Sequence, residues 1–286
     1  MSLSSLYLDA FSEVAKLKSF SKAAQKLNVT QSALSQRVLN LEKDLGSSLF
    51  IRDPSGIRLT ELGQRLLRYC HSKSLLEAEF MEALKPDEGK GLSGLIRVGG
   101  FSTINRSVIL PIMTGVLKEH PLVNIEVRTE ELRELPPLLF SGAADLILVN
   151  DPIRKQGVEN FQVGSEEYVM VQGTVKGART DTYLDHDSED TTTMDFLRMQ
   201  SKKVPTIKRN FLGDIYSIID GVKLGMGRAV LPVHLIEDTK GMEILRGFIA
   251  MRVPVYLTYY AQAFYTELQS EITKRILKDA PDYLKQ

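Results

Sequence analysis

Residues 19 to 63 limit the fold more than any other stretch of the chain. Leu34, Val38, Leu41 and Leu45 recur at spacings of four, three and four, which puts them on one stripe of a helix. Thr30 ahead of the run is a good N-cap, and Gly46 behind it is a left-handed stop. A shorter helix begins near Ser19 or Ser21, either of which can accept from exposed backbone N–H groups. Its Ala23 and Ala24 are small enough for another helix to approach closely, and Asn28-Val29 makes the turn. An earlier helix over residues 5–16 carries Leu6, Leu8, Phe11, Val14 and Ala15 at near-helical spacing.

Two short apolar runs follow, Leu49-Phe50-Ile51 and Ile57-Arg58-Leu59, split by the strong turn signal Asp53-Pro54-Ser55-Gly56. This predicts a hairpin with Arg52 and Arg58 beside its turn. Gln31, Ser32, Ser35, Gln36 and Asn40 fall mostly off the apolar stripe, near the start of the third helix. Such side chains donate and accept hydrogen bonds, as base edges in the major groove require. Arg37 and Lys43 are placed for phosphates, and Arg52 and Arg58 for phosphates or the minor groove. The plainer alternative is an amphipathic helical hairpin whose polar face is only solvated.

The pattern resembles the LysR-type transcriptional regulators. Their sequence of Ser-Phe-x-x-Ala-Ala-x-x-Leu, Gln-x-Ala-x-Ser, Leu-Glu-x-x-Leu-Gly-x-x-Leu-Phe-x-Arg and Leu-Thr-x-x-Gly is matched from Ser19 to Leu27, Gln31 to Ser35, Leu41 to Arg52 and Leu59 to Gly63. Ser32 stands where the family often has proline, and Leu39 is apolar on a face that is often basic. Further along, the opening strand with Ser102-Thr103, Gly142-x-x-Asp145-Leu, and Gly225-x-Gly-x-x-x-Leu-Pro232 are similar to family patterns. The resemblance implies a winged helix-turn-helix, a linker helix that dimerises, and a two-lobed α/β effector-binding domain of the periplasmic-binding-protein-like kind. It places the effector pocket at Ser102 and Thr103. Asn150 and Phe211 are weaker candidates for the same cleft. The Gln-Ser-Ala-Leu-Ser-Gln-Arg order is similar to the subgroup that responds to lysine or arginine.

Charge is uneven along the chain. Residues 14–68 hold ten Lys and Arg against four Asp and Glu, while the whole chain is neutral, so the rest is acidic. A basic head on an acidic body suits a protein that places one end on DNA. Neither an export-signal pattern nor an apolar stretch near the ~20 residues of a membrane span is present, which fits the cytoplasm and no membrane partner. The lone Cys70 cannot form an internal disulfide; among Leu66, Leu67 and Tyr69 it reads as an apolar filler.

Thr60 can cap a helix reaching about residue 84, about 37 Å long. Positions 59, 62, 66, 69, 73, 76, 80 and 83 alternate three and four residues, and only Lys73 interrupts an apolar or small seam. The expected partner there is a second copy. The alternative is a long helix packed on its own domain. A dimer would read an inverted repeat with half-sites a multiple of about 10 base pairs apart. Whether dimers pair into a tetramer, and whether RNA polymerase is a partner, stays open.

Residues 86–94 form a polar hinge. Strands are then expected at 95–100, 124–128 and 144–150, with a helix at 104–118, as βαβ units on a parallel sheet. A second subdomain starts near 168–172 and holds a helix over 214–224. A strand over 254–260 returns to the first subdomain, and a helix over 264–278 ends the chain. The division is 1–60 for the DNA-binding domain, 61–93 for linker and hinge, and 94–286 for the sensor. Lobe I is 94–165 with 252–286, and lobe II is 166–251. The cleft between them suits a small anionic or polar metabolite. No cofactor is expected. Residues 185–190 concentrate acidic groups but lack the spacing of a calcium loop, so no metal site is assigned. A solute-binding protein or an enzyme using the cleft are the rival readings; the sequence has no recognisable catalytic constellation for the second.

Overall fold

The computed structural model describes residues 3–53, 56–83, 91–200, 206–236, 239–262 and 264–284, without the side chains at 52, 53, 82 and 83. The Arg52 side chain, the last residue of the expected linker helix and most of the polar hinge therefore lie outside the described residues.

The chain opens with α1 (Ser5–Leu17), α2 (Phe20–Lys26) and α3 (Gln31–Leu45). Of the two candidate caps for α2, Ser19 serves, accepting the Lys22 N–H at 3.3 Å. Thr30 accepts from the Ala33 N–H at 3.2 Å and so starts α3. Gly46, at φ 66°, ends it. Ala23 and Ala24 are buried against Val14, Leu34 and Val38, so their small size does bring the helices together. β1 (Phe50–Asp53) and β2 (Gly56–Leu59) pair antiparallel from Phe50↔Leu59 to Asp53↔Gly56. Leu49 is buried under this hairpin, beside Phe11 and Leu41. α4 (Glu61–Ala83) follows, with the Thr60 hydroxyl accepting the Gly63 N–H at 3.0 Å.

The first lobe is built on β3 (Ser93–Gly100), β4 (Leu122–Thr129) and β5 (Leu146–Val149), with β3 parallel to both others. The helix expected between β3 and β4 runs as α5 (Ser102–Ile104), a π-helical turn (Asn105–Ile109) and α6 (Leu110–Glu119). Pro111 accounts for the widened turn: inside a helix it lacks an N–H and crowds the preceding turn. Pro136 and Pro137 fall in the first turn of α7 (Leu135–Ser141), where no intrahelical N–H is needed.

β6 (Val158–Gly173) is one long strand, and residue 166, the expected lobe boundary, lies in its middle. The second lobe adds β7 (Thr182–Asp185), α8 (Thr192–Gln200), β8 (Lys208–Phe211), α9 (Ile215–Lys223), β9 (Ala229–Pro232), a 3-10 turn (Val233–Leu235) and β10 (Met242–Ile244). β11 (Met251–Tyr260) then returns to the first lobe, and α10 (Glu267–Leu284) covers it.

Among the described residues the main sheet has seven strands in the order β10-β6-β11-β5-β3-β4, with β9 also on β6. Only β4-β3-β5 matches the parallel arrangement expected from sequence. β11 is antiparallel to β5 and β6, and β6 is antiparallel to β9 and β10. The reason is connectivity: β11 enters from the second lobe and not through a crossover helix, so it arrives in the opposite direction. β7 and β8 form a separate parallel pair.

Candidate DNA interface and inter-lobe cleft

The start of α3 presents an exposed polar surface. Gln31, Ser32 and Gln36 are exposed, while Ser35, Arg37 and Asn40 are half-buried. The stripe Leu34, Val38 and Leu41 anchors the opposite face in the core. Several of these polar groups are already oriented. The Ser21 hydroxyl donates to Gln31 Oε1 at 2.9 Å, which ties α2 to the first turn of α3. Gln36 Nε2 donates to Asn40 Oδ1 at 2.9 Å, and Asn40 Nδ2 donates to the Tyr7 hydroxyl at 3.4 Å. Asn40 therefore braces Gln36 against α1. Arg58 is exposed on β2, next to the turn of the wing.

α4 presents three faces. Leu66 and Leu67 are buried in the head with Leu8 and Phe11, and Leu62 and Cys70 pack beside them. The first half of the expected seam is thus partly covered by the chain itself, as the alternative reading held. Burial pushes the Cys70 thiol up from its ordinary value, in keeping with a filler. A second face meets the first lobe. His71 Nε2 lies 2.5 Å from Asp145 Oδ1, Ser72 donates to Gln262 at 3.0 Å, and Arg68 stacks on the Tyr260 ring at 3.9 Å. The third face is bare: Tyr69, Leu76 and Phe80 are 50%, 41% and 63% exposed. At 100° per residue they lie on one side of the helix.

In the first lobe β3 and β5 are parallel neighbours, so Ser102 and Asn150 follow strands that end at the same edge. Phe211 ends β8, just before the start of α9, and is exposed. No side chain caps the first turn at Ser102. Thr103 is committed elsewhere: its buried hydroxyl donates to Glu166 Oε1 at 2.8 Å. Links also cross between the lobes. Arg133 donates to Glu189 at 2.6 Å, Glu131 lies 3.5 Å from His186, and Arg106 stands over the Tyr216 ring.

The acidic run 185–190 is satisfied internally. Asp187 Oδ1 accepts from the Glu189 and Asp190 N–H groups, Asp190 accepts from His186 and Thr192, and Asp185 is held by Thr193 and Arg209. Among the described residues no His, Cys, Asp and Glu grouping could hold a metal.

With this geometry the family comparison is direct. The model of the bacterial regulatory helix-turn-helix protein, lysR family, matches residues 7–64, and that of the LysR substrate binding domain matches residues 89–271. The chain belongs to the LysR family. It is 26% identical over 246 residues to the HTH-type transcriptional activator IlvY of Salmonella typhimurium, covering 81% of this chain and 83% of that one. It is 28% identical over 243 residues to the regulator YofA of Bacillus subtilis, covering 82% of each. ArgP from Mycobacterium tuberculosis shares the fold at a TM-score of 0.81, with 22% identity over 98% of both chains. Full-length LysG from Corynebacterium glutamicum, solved with bound effector Arg, does so at 0.75, with 18% identity over 96% of this chain and 97% of that one. The protein is a LysR-type transcriptional regulator with a DNA-binding head and an effector-binding domain, and the head sets aside the solute-binding reading. No described helix is long and apolar enough to cross a membrane.

Two groups in this LysR-family sensor escape sequence reasoning. Asn105 Nδ2 lies 2.9 Å from each of Gly100 O, Arg128 O and Thr129 Oγ1, its two N–H groups shared among the three, and so ties the ends of β3 and β4 to the helix start beside Ser102. Its neighbours Ser102, Thr103, Arg106 and Ser107 are polar too, so nothing local singles it out. Glu166 is fully buried and receives Thr103, Tyr168 at 3.0 Å and His234 at 2.8 Å. Burial and the Glu166 carboxylate push the Tyr168 phenol well above its ordinary value, so it remains a donor. His234 follows β9, which pairs with β6 at Tyr168↔Pro232, so the sheet register and not any local signal brings it to Glu166.

Proposed function

We propose that this regulator reads operator DNA with the first turns of α3 and senses a small polar metabolite between its lobes. The observation that carries the DNA reading is the exposed cluster of Gln31, Ser32 and Gln36 opposite a buried stripe. Gln31, Ser35, Gln36 and Asn40 face bases or hold the groups that do. Arg37, Arg52 and Arg58 face phosphate or the minor groove. The working division is a head over 1–60, a linker over 61–93 and a sensor over 94–286. A regulator of operator DNA works where that DNA is, which supports a cytoplasmic location and a regulatory, non-catalytic role.

Ser102, with its uncapped helix turn, anchors a carboxylate or similar anionic group of the effector, because unpaired N–H groups there carry partial positive charge. Asn150 and Phe211 line the same cleft. Thr103 acts indirectly, by holding Glu166. The effector Arg in LysG makes a basic amino acid a reasonable first ligand to try. Effector binding favours one arrangement of the lobes and so changes the spacing of the two heads in a dimer.

Footprinting on the DNA beside its own gene, with and without arginine and other metabolites, tests both parts. Gln36→Ala should shift the preferred base, costing about 1–3 kcal/mol at one position. Arg58→Ala should weaken all sites alike and flatten the salt dependence. Ser102→Ala should keep ligand-free footprints and lose the ligand-induced change. An equal loss on every sequence for Gln36→Ala would sink the base-reading role.

The dimer forms through the bare face of α4. Leu76→Lys with Phe80→Lys places charges on the seam and should halve the particle mass in sedimentation. Leu66 shares their spacing but is buried in the head, so its substitution would damage the head itself. An unchanged mass would put the interface elsewhere.

A further inference from the structure

A cavity of about 350 Å³ opens between α4 and the first lobe, away from Ser102 and Phe211. Arg65, Arg68 and Ser72 line it from the helix, and Tyr260 and Gln262 line it from the end of β11. That volume is at the small end for a ligand site. Its charge leans positive: Glu61, one turn before Arg65, acts on Arg68 and Lys155 from the rim without forming an ion pair with either among the described residues. The acid on the wall, Asp145, is already used: Oδ1 lies 2.5 Å from His71 Nε2 and Oδ2 accepts the Arg97 N–H at 2.8 Å. Arg65 and Arg68 have no carboxylate partner among the described residues. Lys155 stands beside them over the Phe140 ring, and burial and Arg68 lower its pKa. Arg68 and Lys155 are half-buried and Arg65 is exposed at the mouth, and like charges held this close repel, which favours a bound anion.

Hydrogen-bond donors are also left over. The Tyr260 hydroxyl is buried with no partner among the described residues, a state that native structures usually resolve with water or ligand. Gln262 accepts from Ser72 through its oxygen, so its amide N–H groups stay available. We infer that this cavity is a second small-molecule site, for an organic carboxylate, distinct from the inter-lobe cleft. Two guanidinium groups on α4 and two polar side chains on the lobe would grip one ligand from both sides. Occupancy therefore favours the arrangement in which the linker is docked on the sensor, and so biases the direction in which the head points.

The test uses the full-length protein without DNA, titrated with citrate and succinate against sodium chloride of equal ionic strength. A ligand that binds the folded state raises its melting temperature. Citrate should raise it beyond the chloride control. Arg65→Gln with Arg68→Gln should weaken apparent citrate affinity at least tenfold, and Tyr260→Phe should weaken it about threefold. Ser102→Ala should leave the citrate response intact. Circular dichroism checks folding; should the double variant not fold, Tyr260→Phe decides. A shift reproduced by chloride, or one retained in the arginine and phenylalanine variants, overturns the site. A shift lost only in Ser102→Ala would place the anion in the inter-lobe cleft, overturning this site while supporting the cleft. Inorganic phosphate is the last arm: an equal response, equally sensitive to the variants, overturns the carboxylate class.

Discussion

Gly63→Ala is expected to unseat the linker helix from the winged head and to cost about 3 kcal/mol. A Cβ at this buried position would meet the Leu49 carbonyl oxygen at 2.2 Å and its carbon at 3.2 Å. Neither side has a flexible end to move. Leu49 O accepts the Thr60 N–H at 3.0 Å, and Thr60 in turn caps α4, so the obstructing atom is part of the helix start. Helix propensity runs the other way, since alanine is better than glycine by about 1 kcal/mol in a helix interior. Net destabilisation would therefore show that close approach of α4 to the wing decides the position. Thermal unfolding of the variant checks the stability, and footprinting checks the wing, which must shift relative to α3. A variant as stable as the parent would mean that α4 can slide without cost and that the contact sets no angle.

The head was largely legible because its signals are local. Thr30, Gly46, Ala23 and Ala24 act within a few residues of themselves, and each does in the fold what its chemistry suggests. Lobe topology was legible only in part. The helix with Asp214 at its N-cap and the returning strand near Pro254 were expected, but the direction of β11 depends on a connection through a whole lobe. α8, β7 and β8 carry weaker local periodicity and were not separately resolved in the sequence. The linker shows a different limit. Its three-and-four spacing is real, yet spacing alone does not say which turn of the helix meets the head and which stays bare. Leu66 and Phe80 fit the same pattern and have opposite surroundings. Among the candidate cleft residues, Thr103 looked equivalent to Ser102. Only the long-range arrival of Glu166 separates them, one hydroxyl being bonded and the other standing in an uncapped turn.

That same Glu166 gives the other large expected effect. His234→Leu should cost the sensor about 3–5 kcal/mol, because it withdraws a partner from a carboxylate with no exposure to water. Thr103 and Tyr168 would remain, but they occupy one oxygen each, and Oε1 would lose the 2.8 Å contact with the imidazole. Leucine supplies the volume without the polar atom, so a cavity is not the cause of the loss. The control is the same change made in a Glu166→Gln background. A neutral amide is far cheaper to bury, so there the step from His234 to Leu should cost on the order of 1 kcal/mol. Denaturant unfolding of all four proteins, followed in the sensor transition, gives the coupling as a double-mutant cycle. Equal costs in the two backgrounds would show that His234 packs beside Glu166 without supporting its charge. A positive coupling has a functional side as well. Thr103 belongs to the first lobe and His234 to the second, and both converge on one strand that runs through the two. Loosening that junction should change the preferred closure of the lobes, and with it the concentration of effector needed to alter the footprint.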